Sequence, residues 1–416
     1  MNSVSTIDKE RNTDTTENNT GFVFFLFCLW AFVVLCRPQD IFPILAPLRP
    51  ALTMAVLTLG IVFIRYKDIA APPFFRERQV KYYTALLAIM VLGIPFSLYA
   101  RLSFMFVFTE YINVILFFFV FYMIVNSVKR LSMIILISCL GIGLYSAFAL
   151  SEFVPGTGRL SFGGMFDPND IAYFVLGFLP MNLIFISREN PVWIRTACLG
   201  CLGMGILLIF YSGSRAGLLA FGAASVLLLL SSSRTIRFSM KAAFVIMCLV
   251  FVSFSSIDTE RYGTLLEIED DYNIHHETGR LALWKIGARA LLDNPITGVG
   301  VRNYAYAVGL DREARGAETL RWQTAHNSVI QIGTETGIVG LILFLLMSVN
   351  VLRILKQAKK TTSDERLMKI SEMGIIGFVG LFVSGLFLSQ AYSFYWAFYI
   401  ALSASVSQIQ IRESSS

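Results

Sequence analysis

Histidine is nearly missing from this sequence. Three occur in 416 residues, His275, His276 and His326, which leaves little from which to build an imidazole metal centre. The first two follow an acidic run, LEIEDDYNIHHE, but their spacing fits no strong metal-ligand template, so no metal is expected. Charged residues make up 15% of the chain, against about 25% in soluble domains. All six cysteines (Cys28, Cys36, Cys139, Cys198, Cys201 and Cys248) fall in apolar segments, where a small polarizable side chain simply packs, so disulfides are not implied. Cys198 and Cys201 form a CxxC, but without a thioredoxin-like context it carries no expectation of redox chemistry. No internal repeat of fixed period is visible, which argues against solenoids and against repeat-built transporters.

What is abundant is apolar. At 56% hydrophobic residues and a mean hydropathy of +0.65, the chain is far more apolar than a soluble domain at about 45–50%. The expected fold class is therefore an all-α integral membrane protein, one polytopic domain. A bilayer span needs about 20 largely apolar residues. Twelve candidate spans follow: 21–36, 51–65, 83–100, 103–126, 131–153, 171–187, 193–211, 216–230, 238–256, 329–354, 371–389 and 391–409. Residues 1–20 are polar and rich in Asn and Thr, with no basic region running into an apolar core and no small-residue cleavage signature after residue 36. A disordered cytoplasmic tail is expected there, with the first span kept as an anchor.

Lys and Arg set the orientation, because cytoplasmic loops are enriched in both. With the N-terminus inside, cytoplasmic segments hold 21 of the 34 basic residues and external segments 13, of which eight sit in the long stretch 257–326. Long segments cross regardless of charge, so the short-loop comparison is 21 against 5. Both termini are expected in the cytoplasm. Residues 21–256 would carry spans 1–9, residues 257–326 one large external loop, residues 327–409 spans 10–12, and residues 410–416 a short tail. Within the loop, TGRLALWKIGARALLDNP reads as a helix that Thr278 can cap and that ends at Asn294 and Pro295. Leu281, Trp284, Ala288 and Leu292 would share its apolar face, to lie on the membrane surface or cover a cavity.

This topology collects four polar features on the outer face: GRLSFGGMFDPND (158–170), SGSRAG (212–217), TGR (278–280) and AHNS (325–328). Small residues around Arg215, Ser214 among them, would let helix ends approach and leave N–H groups beside a guanidinium, which suits a phosphate. A snorkelling arginine is the plainer alternative. Arg280 would open a helix, where a cation opposes the macrodipole unless an anion sits nearby; it could equally be a surface arginine. His326 titrates near neutral pH and can accept a proton from a hydroxyl, with Asn327 and Ser328 beside it, or it bonds only to water. Glu335 lies nine residues on, about 13 Å along a helix, too far for a direct pair, so it would orient a partner from another helix. Asp167, Asn169 and Asp170 are ordinary helix caps that could also touch a sugar or phosphate, and Arg159 lies just ahead of them.

AHNSVIQIGTETGIVGLILF, preceded by NPITGVGVRNY, GRLALW and SGSRAG, resembles the O-antigen ligase and polysaccharide polymerase superfamily of bacterial membrane glycosyltransferases, over roughly residues 155–350. The resemblance implies a GT-C-like membrane fold and transfer of a glycan from undecaprenyl pyrophosphate to an acceptor hydroxyl at the outer face of the inner membrane. The acceptor would be a glycan or lipid-linked molecule, as in lipopolysaccharide or exopolysaccharide assembly. It also implies that Arg215 and Arg280 hold the pyrophosphate and that His326 is the base or the acceptor-side activating group. Asp167, Asn169, Ser214, Asn327, Glu335 and Arg159 would line the substrates. No metal, other cofactor or nucleic acid is implied.

Leaving-group stabilisation by two arginines and proton removal by one base imply inversion without a covalent intermediate. Ligases, polymerases and protein-glycosylating enzymes share this machinery and differ in acceptor, and the acceptor is not readable from the motifs. The rival class is a transporter or lipid-linked glycan flippase, which should carry polar groups and broken helices within its spans. Glu110 is the one clear acidic residue well inside an expected span. A non-catalytic assembly partner is the third reading.

Overall fold

The computed structural model describes residues 20–67, 69, 75–156, 158–163, 167–231, 245, 276, 278–317 and 321–413. The ninth expected span (238–256), His275 and the acidic run before it lie outside these residues, apart from Val245. Every regular element among the described residues is helical. Here α1 is Gly21–Cys36, α2 Pro50–Ile64, α3 Arg78–Gly93, α4 Ala100–Ile124, α5 Val128–Glu152, α6 Pro168–Phe178, α7 Val192–Tyr211 and α8 Arg215–Leu230. They are followed by α9 Arg280–Asp293, α10 Tyr304–Ala314, α11 Ser328–Thr361, α12 Glu365–Gly385 and α13 Phe394–Glu413.

Among the described residues seven helical stretches are long and apolar enough to cross a bilayer, counting α2 with the turn before it as Pro43–Ile64 and α3 with the turn after it as Arg78–Phe96, and α1 and α8 are shorter apolar helices. The count of twelve is not confirmed among the described residues, and two of the expected spans differ for local reasons. The sixth expected span breaks after 11 residues of α6 into a 3-10 turn, Pro180–Ile184, because Pro180 removes a backbone donor. The twelfth is a 20-residue helix, α13, whose run of Ser and Gln leaves it less apolar than the other long helices. It is buried along nearly its whole length.

Aromatic side chains cement the centre. Phe27 and Trp30 of α1 meet Phe117 and Phe121 of α4, and Phe121 reaches Phe398 of α13 at 5.4 Å. Phe174 of α6 stacks on Tyr395 at 5.6 Å. Such pairs are each worth about 0.5–1.5 kcal/mol beyond their area. Cys201 of α7 packs against Gly143 of α5, which accounts for half of the CxxC as packing. The five described cysteines are all free and buried.

The longest helix is broken. α11 carries non-helical dihedrals at Gly337 (φ 74°, ψ −176°), and residues 294–300 fill the break. Ile338 N–H donates to Pro295 O at 2.8 Å, Val299 N–H to Thr334 O at 2.9 Å, and Gly300 N–H to Glu335 O at 3.1 Å. The backbones approach so closely that a Cβ at Gly337 would collide with the Ile296 carbonyl, and one at Gly298 with the Glu335 backbone. Both glycines also have positive φ, the conformation that L side chains resist.

α9 spans Arg280–Asp293 and ends at Asn294, as its sequence predicts, but its cap and buried face differ. Gly279 is the N-cap, and Thr278 instead pairs through its hydroxyl with His276 Nδ1 at 2.7 Å. Leu283, Ile286 and Gly287 face inward, while Leu292 is 74% exposed. The inward stripe runs through the smallest residue because α11 docks there. Thr334 Oγ1 donates to Gly287 O at 3.0 Å, and Tyr304 Oη to Leu283 O at 2.7 Å.

Candidate active site

The expected site residues other than Glu335 gather where α6, α8, α9 and α11 begin and α12 ends. The turn between α7 and α8 comes first. Ser214 caps α8 by accepting from Gly217 N–H at 3.0 Å, and its own hydroxyl donates to Asn169 Oδ1 at 2.8 Å. Arg159 donates from Nη2 to the same Asn169 oxygen and from Nε to Ser212 O, both at 2.8 Å. Arg159, Asn169 and Ser214 thus form one direct cluster. Arg215 follows the cap as the first residue of α8.

Asn169 belongs to the first turn of α6, which Asp167 caps with a full capping box. Asp167 accepts from Asn169 N–H at 2.7 Å and Asp170 N–H at 2.9 Å, while Asp170 reaches back to the Asp167 amide. Capping is therefore what Asp167 does structurally. Asp170 also accepts from Gln390 Nε2 at 2.8 Å, and Gln390 N–H donates to Ser328 Oγ at 3.1 Å. That chain of bonds ties the α6 mouth to the α11 mouth through the turn after α12.

At the α11 mouth Asn327 is the N-cap, accepting from Val329 and Ile330 N–H at 2.9 and 3.0 Å. His326 just before it adopts a left-handed conformation (φ 46°), with its N–H held by Ser389 Oγ at 2.8 Å. Arg280 lies over the Phe387 ring at 5.9 Å, on the same turn that holds His326. Burial first, and then the Arg280 charge, push the His326 imidazole below its ordinary value, and Asp167 pulls the other way. A neutral ring beside a cation and a carboxylate is what a general base at neutral pH needs.

Glu335 stands apart from this mouth. It is buried within α11, accepting from Tyr304 N–H at 3.1 Å and Tyr392 Oη at 2.7 Å. It makes no bond to His326, as the nine-residue separation predicts, and it braces the 294–304 segment against α11 and the turn before α13.

Phe387, Ser389 and Gln390 are the site neighbours that the sequence reading passed over. Ser389 and Gln390 belong to a polar island, SQAYS, between two apolar runs, whereas Phe387 sits in the run before it and carries no such signal. At the far end of the same helices stands a basic group: Lys369 pairs with Glu189 at 2.7 Å, Lys359 with Glu372 at 2.8 Å, and Arg366 Nη2 with Asn190 Oδ1 at 2.9 Å. The two ends are chemically distinct.

The arrangement defines a class, a helical membrane protein that holds arginines and a neutral histidine at one end of its bundle. Residues 199–345 match the family model described as O-antigen ligase, and this stretch contains Arg215, Arg280, His326 and Glu335. A Rickettsia conorii protein provisionally named a polysaccharide ligase is 26% identical over 121 residues, 28% of this chain. The matched stretch spans 28% of that relative's length. Both comparisons support the O-antigen ligase and polymerase family for the region that they cover.

Proposed function

We propose that the protein transfers a glycan from undecaprenyl pyrophosphate to an acceptor hydroxyl at the outer face of the bacterial inner membrane, as an O-antigen ligase or surface polysaccharide polymerase. The observation that carries this reading is the bonded turn 387–390, which draws His326, Arg280 and the α6 mouth together from distant parts of the chain. In the reaction, His326 takes the proton of the acceptor hydroxyl as that oxygen bonds to the anomeric carbon. The bond from that carbon to the pyrophosphate oxygen breaks, and the departing undecaprenyl pyrophosphate carries its charge between Arg215 and Arg280. Arg159, Asn169, Ser214, Asp167 and Asn327 fix the geometry of this mouth, and Glu335 braces it from behind. One displacement with one base inverts the anomeric configuration.

The break at Gly337 is a feature that a transporter would also show. Here its free backbone groups are bonded by residues 295–300 rather than left to coordinate a substrate, which favours transfer over transport. The test is incubation of purified protein with the lipid-linked glycan and the acceptor fraction extracted from the source strain's membranes. Glycan joined to acceptor, with undecaprenyl pyrophosphate released, is the expected result. Movement of the donor across vesicles with no new glycosidic bond would replace this reading with a flippase.

A further inference from the structure

Behind the turn that holds His326 lies a chamber of about 370 Å3, within the range of about 300–1,000 Å3 found for small-molecule sites. Ser389 and Gln390 form one wall, and Phe106, Tyr111 and Tyr392 another. The three rings interlock, with Phe106 to Tyr392 at 5.2 Å and Tyr111 to Tyr392 at 5.5 Å. Arg302, Glu110 and Arg37 also face the chamber.

Three observations point to a ligand. Residues Phe106–Tyr111 of α4 form a π-helical turn, an uncommon geometry that recurs at functional sites. Glu110 sits exposed in that turn, within a span of 25 residues. A carboxylate at such depth is costly unless it faces water or a polar ligand. Arg302 is held with φ at 68°, a strained conformation for a non-glycine residue, and its guanidinium lies 5.7 Å from the Phe106 ring. Arg37 is ion-paired with Asp40, whereas Arg302, whose charge also lies near Glu335, and Glu110 bring a donor fork and an acceptor to the lining beside the aromatic wall. That combination suits a neutral, polyhydroxylated ring better than an anion.

Resting on the transfer reaction proposed above, we infer that this chamber receives a neutral sugar of the acceptor glycan. The chamber adjoins the reaction mouth. Gln390 bonds Asp170 of α6 and also lines the chamber, so the chamber and the α6–α8 mouth flank the same residue. An inverting displacement requires the acceptor to approach opposite the leaving pyrophosphate. In this assignment the sugar approaches from the chamber on one side of Gln390 while the pyrophosphate is held beside Arg215 on the other.

Glu110→Gln and Arg302→Gln test the assignment, because the first is isosteric, the second keeps a polar stem, and each removes a charged hydrogen-bond partner. Each is expected to raise the acceptor KM by about tenfold or more, leaving the donor KM and the affinity for undecaprenyl pyrophosphate at wild-type values. Val114→Trp, which fills the chamber, is expected to stop transfer while undecaprenyl pyrophosphate still binds. Saturation-transfer NMR with glucose, galactose, N-acetylglucosamine and glucuronic acid reports the ligand class directly: signal from the neutral sugars, lost in Glu110→Gln, is expected. Unchanged acceptor KM in both charge variants, a rise in donor KM instead, or signal from glucuronic acid alone would each overturn the chamber assignment. Failure of the wild-type protein to transfer glycan at all would overturn the underlying reaction, so the two failures are distinguishable.

Discussion

Ser389 accepts the backbone N–H of His326 at 2.8 Å across 63 residues of sequence. The bond holds a histidine in the left-handed region, where a non-glycine residue is uncommon and stays only if its surroundings fix it. Ser389→Ala removes that fixing acceptor without touching the imidazole. Transfer should fall about two- to tenfold, since one such bond is worth about 0.5–1.5 kcal/mol, while undecaprenyl pyrophosphate binding stays intact. Equal rates for Ser389→Ala and wild type would show that the His326 backbone is held by other means.

Arg215 and His326 should separate into leaving-group and proton-transfer roles. Arg215→Ala is expected to cost on the order of 10² to 10³ in rate, and Arg215→Lys to remain impaired because a point charge lacks the planar fork. His326→Ala is expected to cost on the order of 10² to 10⁴ with donor binding retained. With arginines carrying the pyrophosphate charge, EDTA should leave the rate unchanged. Restoration of an EDTA-treated enzyme by Mg²⁺ would reassign that task to a metal.

Glu335 should behave as a brace. Glu335→Ala orphans the Tyr304 N–H and the Tyr392 hydroxyl, both buried, at about 1–3 kcal/mol for each unsatisfied group. Thermal unfolding in detergent should shift to lower temperature, with Glu335→Gln intermediate because its carbonyl keeps one acceptor. An unshifted transition for Glu335→Ala, combined with lost transfer, would move Glu335 into the chemistry.

The parts of the site that were legible in the sequence are those that local rules govern. Asp167 caps its helix as expected, because short polar side chains before an apolar run do so wherever they occur, and Ser214 and Asn327 obey the same rule although neither is singled out as a cap in the sequence. The end of α9 at Asn294 follows from Pro295 in the same way. What local rules do not contain is the partner on the other side. The bulky positions Leu281 and Leu292 predict one face for α9, yet docking on α11 selects the face with Gly287, where backbones can approach. Likewise the polar island at 389–393 falls at the junction of the expected spans 371–389 and 391–409, and nothing local reports its bonds to Asp170, His326 and Ser328. The Gly337 break needs the 294–300 backbone to fill it, a contact between segments some 40 residues apart that no periodicity reports.

The pH dependence tests the electrostatics of His326. Burial and Arg280 hold the imidazole below its ordinary value of 6.5, and Asp167 opposes them. The base is therefore unprotonated over more of the acid range than a free histidine, and the acid limb of the rate profile should lie below pH 6.5. Removing the cation with Arg280→Gln should move that limb to higher pH, whereas Asp167→Asn should move it lower. The Arg280 shift should be partial, because burial is the larger cause and remains. Stability follows the same sign: below the ordinary histidine value the unfolded chain takes up a proton that the folded one resists, so this residue weakens the fold as pH falls. Arg280→Gln lowers the rate as well as shifting it, so the limb is read from the shape of the profile rather than its height. Limbs that move in the same direction in both variants, or that stay fixed in His326→Ala with measurable residual transfer, would show that another group titrates.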